Sequence, residues 1–466
     1  MRTLLEELVR RAGQRGASFA DVRAGQSAST SVTAEDGRIR DLSASEHRGA
    51  GIRVLVRGAW GFACAGSHDP AELRRCLDDA LAMAESASAR IAEPAKVAEV
   101  EPVEATSRLP FRVDPASVSL SERVRKVADF EERMRKHHAT IVNTRVSYYD
   151  ASGTVELVNS YGSYVKWDNL NCGIMLMATA ADDSTRQMSY DGHALPAGWE
   201  VVDDLDLDEV AGGTAQRAVD LLSAEEPRAG TMMVILDPDI TGLITHEAFG
   251  HNCEADLVWA GESIVAGKEG QRLAAEIVTV VDDPTLANHN GSYDYDDEGV
   301  PATRRELLSR GVLTQYLHSL ETAAHFSSQP NGAARAASYD DLPVPRMSNT
   351  FIEAGDTDLE DLVAQVDKGV LVSRSHGGYV DTTRGHFSFS VETGYQVEKG
   401  KLGRQFRNCT LTGYTLETLA GVLGLSRQFK LLDRGMCGKR GQMVRTSIGG
   451  PYALVQQVTL GGSRTD

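Results

Sequence analysis

The sequence predicts an α+β protein in two parts. An N-terminal α/β domain of antiparallel strands with flanking helices occupies 1–225, and a C-terminal β-rich, barrel-like domain carrying a histidine-bearing helix occupies 226–466. Three observations lead there. The 466 residues, 41% of them hydrophobic, exceed what one compact core usually holds. The first half passes twice from helical to strand periodicity, and the second alternates short strand-like runs with glycine turns.

Residues 2–14 form the first amphipathic helical pattern, strand-like runs fill 18–66, and a helix follows from Pro70 to about Ser86. The stretch 93–115, rich in Pro, Glu, Val and Ala, reads as a connector. The order then recurs, with a helix over 121–138, strands over 141–188 and a helix over 207–223. Gly51-Ile-Arg-Val-Leu-Val in the first unit is echoed by Gly173-Ile-Met-Leu-Met-Ala in the second. An internal duplication near 1–93 and 116–225 accounts for this, and convergent α+β patterning accounts for it nearly as well. Neither unit holds a metal-ligand cluster. Glu-Glu-Pro-Arg-Ala-Gly, 225–230, breaks the last helix and marks the boundary.

Beyond it, the apolar run from Thr231 predicts a buried strand feeding a helix from about Ile240. Further strands are expected at 313–320, 369–372, 385–393, 394–398 and 453–460, giving a barrel-like or curled sheet. An extended peptide can add to the edge of such a sheet as one more strand, unless every edge is already covered.

Composition narrows the function. A formal net charge of −18 without a basic cluster excludes a nucleic-acid binder, which needs a basic face to neutralise phosphates. Six scattered cysteines fit a reducing compartment. The N-terminus, with acids inside its helical pattern, does not read as a signal peptide, and no apolar run is long enough to cross a bilayer. A cytoplasmic protein with no membrane partner is the expectation.

The chemistry concentrates in His-Glu-Ala-Phe-Gly-His, 246–251, two imidazoles flanking a carboxylate. Histidines four apart on a helix lie about 40° apart and share a metal ion, whereas His246 and His251 are five apart, about 140° on an ideal helix. They can meet at one ion only if the helix carries an extra residue per turn or ends near Gly250. Glu247 is placed to take a proton from metal-activated water. Glu254 and Asp256 stand where they could orient the imidazoles from behind, or be solvated acids. A catalytic zinc needs a third protein ligand. Cys253 lies on the wrong side of any helix, while Cys437, in Gly-Met-Cys-Gly-Lys-Arg-Gly-Gln, has flanking glycines, with Lys439 and Arg440 able to favour a thiolate.

Other residues carry two readings. The acidic turn 294–299 lacks calcium-loop spacing and reads as a solvated turn with a structural role near the site. Arg346, stiffened by preceding prolines, either pairs with a carboxylate or clamps a substrate terminus. His376, Gly377, Gly378, Asp381 and His386 could line a cleft or be structural.

These blocks in this order resemble the TldD/PmbA family of zinc metallopeptidases, and its TldD-type active member in particular. The resemblance rests on the 246–256 region, Tyr-Asp-Asp-Glu-Gly (295–299), Leu-Pro-Val-Pro-Arg-Met-Ser-Asn-Thr (342–350), Gly-Gly-Tyr-Val-Asp (377–381) and 435–442. It implies one Zn²⁺ per chain held by His246, His251 and Cys437, with Glu247 as acid and base. It also implies a peptidase of linear or unfolded peptides, working as a homodimer or with a PmbA-like chain. Two alternatives are a silent peptide-binding scaffold and a hydrolase of a non-peptide amide in the tailoring of peptide-derived small molecules.

Overall fold

The computed structural model describes residues 1–462. In the N-terminal half, α1 (Arg2–Gln14), β1 (Phe19–Glu35), β2 (Arg38–Val56), β3 (Ala59–Ala65) and α2 (Pro70–Ser88) are followed by the short β4 (Glu104–Ser107). The same order then recurs as α3 (Leu120–Arg135), β5 (Ile141–Asn159), β6 (Tyr164–Ala181), β7 (Arg186–Leu195), the short α4 (Glu200–Asp203) and α5 (Gly213–Ser223). The helix starts follow capping chemistry: Asp69 accepts the N–H groups of Ala71 and Glu72 ahead of α2, and Ser119 accepts that of Glu122 in α3.

All seven strands make one sheet, ordered β3-β2-β1-β5-β6, with β4 and β7 both pairing with β6. The two halves meet where β1 runs antiparallel to β5 from Asp21–Asn159 to Glu35–Arg145. Gly51-Ile52 and Gly173-Ile174 both fall in the middle strand of their half. Each half has its own core: Leu5, Leu8, Leu73, Leu77 and Leu81 close over Val22, Ile52 and Val54, while Phe130, Met134 and Ala218 close over Val146, Ile174 and Leu176.

The C-terminal sheet has ten strands: β8 (Gly230–Leu236), β9 (Val280–Asp282), β10 (Arg305–Ser309), β11 (Val312–Leu313), β14 (Asn349–Ile352), β15 (Lys368–Asp381), β16 (His386–Glu398), β17 (Lys401–Tyr414), β18 (Val422–Lys439) and β19 (Gln442–Gly461). A small ribbon, β12 (Ala334–Arg335) with β13 (Val344–Pro345), stands apart. β8 pairs in parallel with β15 and antiparallel with β19, and β15-β16-β17-β19 complete a closed ring of five strands. The expected barrel-like sheet is thus present. Val234, Leu236, Val370, Val372 and Val455 face the main core, and the alternate residues Ile235, Leu371 and Leu454 face a smaller one under the helix Leu359–Ala364. No helix of the described chain is long and apolar enough to cross a membrane.

Three sequence expectations change here. Only the first residue of 313–320 is strand; Leu317 N–H instead bonds the Cys253 carbonyl and His318 N–H the Asn331 side chain, which draws the segment out of the sheet. The expected strands 385–393 and 394–398 are one, because Gly394 is not a turn: a Cβ there would lie 2.3 Å from Phe406 Cζ, so the glycine admits a ring. The acidic turn 294–299 is not a wholly solvated one: Asp294 is exposed, but Asp296 and Glu298 are buried. Asp296 accepts the N–H groups of Glu298, Val300 and Ala334, while Glu298 pairs with Arg53, which also binds Asp21, tying the turn to the N-terminal sheet.

His318 is 1% exposed, and burial pushes its imidazole down to about 4. It is neutral in the fold, so stability is complete above the ordinary value of 6.5 and falls as pH drops from there toward 4. The slope is about 1.4 kcal/mol per pH unit, about 3 kcal/mol in all. His318→Gln should flatten it, read as the shift in urea midpoint between neutral and mildly acidic buffer; an unchanged slope would refute the assignment.

Candidate metal centre

Asp237 ends β8 and caps the next helix by accepting Ile240 N–H, so α6 (Pro238–Leu243) starts slightly before the position expected from sequence, with Pro238 in its first turn. The helix then passes into a π-helical stretch, Ile244–Gly250, and one tight turn, His251–Cys253. This is the first of the two ways by which histidines five apart can converge, since i→i+5 bonding returns residue 251 to the face of residue 246. Gly250 keeps an ordinary helical φ of −60°. Its lack of a side chain serves packing instead: a Cβ would stand 2.0 Å from Met347 Sδ.

About two turns earlier, Gly242 seats α6 directly on β19, where a Cβ would lie 2.3 Å from Gly449 N. Backbone cannot give way as a side-chain end can. We expect Gly242→Ala to cost about 1–3 kcal/mol and to lower metal occupancy by shifting the histidine helix, with thermal unfolding and metal content as the readouts.

β18 delivers Cys437 to this helix, and the candidate ligand atoms of His246, His251 and Cys437 all lie within 4.8 Å of one another. Cys437 Sγ is 3.3 Å from His251 Nε2, and Glu254 Oε2 is 2.8 Å from His251 Nδ1. His246, His251, Cys437 and Glu254 are buried, whereas the Glu247 side chain, 3.6 Å from His251 Nε2, keeps 32% of its surface. The one carboxylate that would work on water faces water.

Burial alone would push the Cys437 thiol up, but the charges of His246 and His251 and their hydrogen bonds hold it well below its ordinary value. Burial works against a charged His251 too, and Glu254 and Cys437 outweigh it, raising that imidazole well above its usual range. Glu254 is itself brought down to about 2 against its burial, by Lys439 and then His251. The trio is therefore a thiolate between imidazoles, with a carboxylate behind one of them. His246 Nδ1 is buried with no partner among the described residues. Two nitrogens and one sulfur with little but each other to bond suit a borderline-soft divalent cation such as zinc.

Lys439 and Arg440 do not act on the thiolate as their sequence position suggested. Lys439 Nζ binds Asp256 at 2.7 Å and Glu254 at 3.1 Å, and Arg440 reaches Asp256 at 3.1 Å. Asp256 thus anchors the cysteine hairpin and touches no imidazole, while Glu254 contacts both His251 and Lys439. Arg346 has no exposed surface; it donates to the carbonyls of Cys437 and Gln442 across the hairpin and lies 3.9 Å from Glu254. Of its two readings, the carboxylate pairing fits this burial and the clamp on a substrate terminus does not. His376 packs at a tilt against Tyr190 and lies 3.9 Å from Glu392, Gly377 and Gly378 shape the bulge in β15, and Asp381 caps the turn to Thr383. None of these four contacts the trio. Cys253 is buried in the core, and burial raises its thiol well above its ordinary value. The Lys439 and Arg346 contacts were not legible in advance, because each bridges segments far apart in sequence, by 91 positions at the least.

A thiolate and two imidazoles beside a water-facing glutamate are the donor set of a metallohydrolase. The chain matches family models over almost its whole length: PmbA/TldA metallopeptidase domain 1 over 20–84, the central domain over 113–222 and the C-terminal domain over 229–462. It is 35% identical over 449 residues to a metalloprotease of Methanothermobacter thermautotrophicus, covering 96% of each chain. It is 30% identical over 457 residues to a metalloprotease TldD homolog of Haemophilus influenzae, covering 96% of this chain and 94% of that one. The crystal structure of TldE from Thermococcus kodakarensis shares the fold, with a TM-score of 0.79 at 18% identity over 98% of this chain and 100% of that one. This protein belongs to the PmbA/TldA metallopeptidase family and is a hydrolase of the metalloprotease class.

Proposed function

We propose that this protein is a zinc peptidase that hydrolyses linear or unfolded peptides. The convergence of His246, His251 and Cys437 within 4.8 Å beside Glu247 carries the reading. The two imidazoles and the thiolate would hold one Zn²⁺ per chain, which supplies Lewis acidity to the scissile carbonyl and acidity to water. Glu247 accepts the water proton and returns it to the leaving amine. Glu254 fixes the His251 ring from behind, and Lys439 and Arg346 fix Glu254 and the cysteine hairpin. Asp256 serves this second layer through Lys439. Substrate enters as an extended chain bonded through its backbone to a sheet edge, which selects for unfolded segments over side-chain identity. The protein works in the cytoplasm as a homodimer or with a PmbA-like partner, a pairing supported by the fold it shares with TldE.

The test is metal content by plasma mass spectrometry on protein purified without added metal, with cleavage of an unstructured peptide followed on the same sample. About one zinc per chain, with cleavage abolished by a chelator and restored by zinc, is expected. Protein that is empty and stays inactive after zinc is supplied would replace the peptidase with a peptide-binding scaffold.

A further inference from the structure

A cavity of about 1070 Å³ lies between the N-terminal sheet and the C-terminal half, lined by neither the two histidines, Glu247 nor Cys437. It is at the upper end of ligand-binding pockets in size. Its position relative to the metal centre follows from strand register. In the β18–β19 hairpin Cys437 stands opposite Val444, and Met436 opposite Arg445. Alternation along the strand sends Cys437 to one face and Met436 with Arg445 to the other. Met436, Met443 and Arg445 therefore meet the cavity from the face opposite Cys437, and Val444 borders it as well.

Two guanidinium groups of its wall, Arg335 and Arg445, form no ion pair with a carboxylate among the described residues. Arg335 Nη1 donates to the carbonyls of Met347 and Arg445, both at 2.7 Å, and Arg445 Nη1 to the carbonyl of Leu170 at 2.9 Å. The charges that act on Arg445 are those of Arg335 and Tyr149; burial first, and then Arg335, bring it down to about 10. The acids around the cavity are already engaged. Asp296 takes three backbone N–H groups, Asp297 pairs with Arg23 at 3.1 Å, and Glu200 accepts the N–H groups of Arg112 and Val113 at 3.0 Å each. Of the other described lining acids, Asp204 pairs with Arg112, Asp294 accepts only the Ser107 hydroxyl and Asp168 has no partner among the described residues, against Arg108, Arg335 and Arg445. Asn171 lines the same wall with its buried Oδ1 unpaired. The rest of the lining includes Trp167, Phe111, Tyr293 and two methionines.

We propose that this cavity binds the free C-terminal carboxylate of a short peptide, with Arg445 and Arg335 as the carboxylate receptors and the aromatic and methionine wall holding the preceding side chains. A planar guanidinium fork matches a carboxylate in shape, and a carboxylate relieves the repulsion between two like charges partly removed from water. A polyanion is the wrong ligand for a chain of net charge −18, which repels it at long range. The assignment does not depend on the metal centre and stands whether or not the chain cleaves the peptide it binds.

Titration calorimetry on the full chain carrying Glu247→Gln tests it, using a pentapeptide with a free C-terminus and the same peptide as its C-terminal amide, with mass spectrometry confirming intact peptide afterwards. The acid should bind at least about tenfold more tightly than the amide. Adding Arg445→Gln, whose amide can keep the bond to the Leu170 carbonyl, should reduce the preference to within about twofold. Met443→Glu, a change at an exposed residue of the lining, should do the same by placing a like charge in the cavity while leaving the fold intact. Equal affinity for acid and amide, or a preference that survives both variants, would overturn the proposal. So would displacement of the acid by inorganic phosphate at the concentration at which acetate displaces it, which would make this a general anion site.

Discussion

Glu247→Gln is expected to keep its zinc and to lose peptide cleavage by about 10²–10⁴-fold, the contribution of a positioned general base. The geometry separates the two properties. Among the described residues Glu247 accepts no side-chain hydrogen bond; it keeps 32% of its side-chain surface and approaches His251 Nε2 only to 3.6 Å, so an isosteric amide disturbs neither helix nor ligands. Glutamine lacks only the basicity needed to accept the water proton and the acidity to return it. Metal content and turnover measured on one preparation distinguish the cases. Activity within about tenfold of wild type would remove Glu247 from the reaction, and loss of zinc would make it a ligand.

The periodic parts of this fold were legible because burial imposes them. The first helix is where Leu5, Leu8, Val9 and Ala12 place it, and the change from strand to helix at Asp237 is written in a cap followed by proline. The π-helical stretch was legible as a condition: two ligands five apart demand an extra residue in the turn, and Met347 against Gly250 shows how the packing admits it. What the sequence hid was contact between distant segments. Arg53, Asp21 and Glu298 form one buried ionic cluster from two halves of the chain, so the acidic turn around Glu298 looked like solvent-facing sequence. β17 and β18 carry enough exposed polar residues that neither periodicity is clear, although they complete the ring and deliver Cys437. Lys439 looked like a neighbour of the thiol in sequence, and in space its charge is used by Glu254 and Asp256.

Cys437→Ala should remove both zinc and cleavage, whereas Cys253→Ala should remove neither. The two cysteines are alike in burial and opposite in electrostatics. Cys437 stands 3.3 Å from His251 Nε2 and is held as a thiolate by His246 and His251 against its burial, while Cys253 sits in the apolar core with its thiol pushed well above the ordinary value. An alanine at 437 leaves two imidazoles, and a dication then has neither a third donor nor the thiolate charge. Changes behind a metal ligand already cost about 10–100-fold in affinity, so loss of a ligand itself should weaken zinc at least about 100-fold. At 253 the same substitution removes one sulfur from the core and should cost about 1 kcal/mol of stability with metal retained. Zinc also stabilises whatever binds it, so the wild type should melt higher with zinc than with chelator, and Cys437→Ala should show no such difference while Cys253→Ala shows the full one. If Cys437→Ala kept its zinc and its melting shift, the hairpin would be a support for the site, and the third ligand would have to come from elsewhere, with Glu247, 3.6 Å from His251 Nε2, as the candidate.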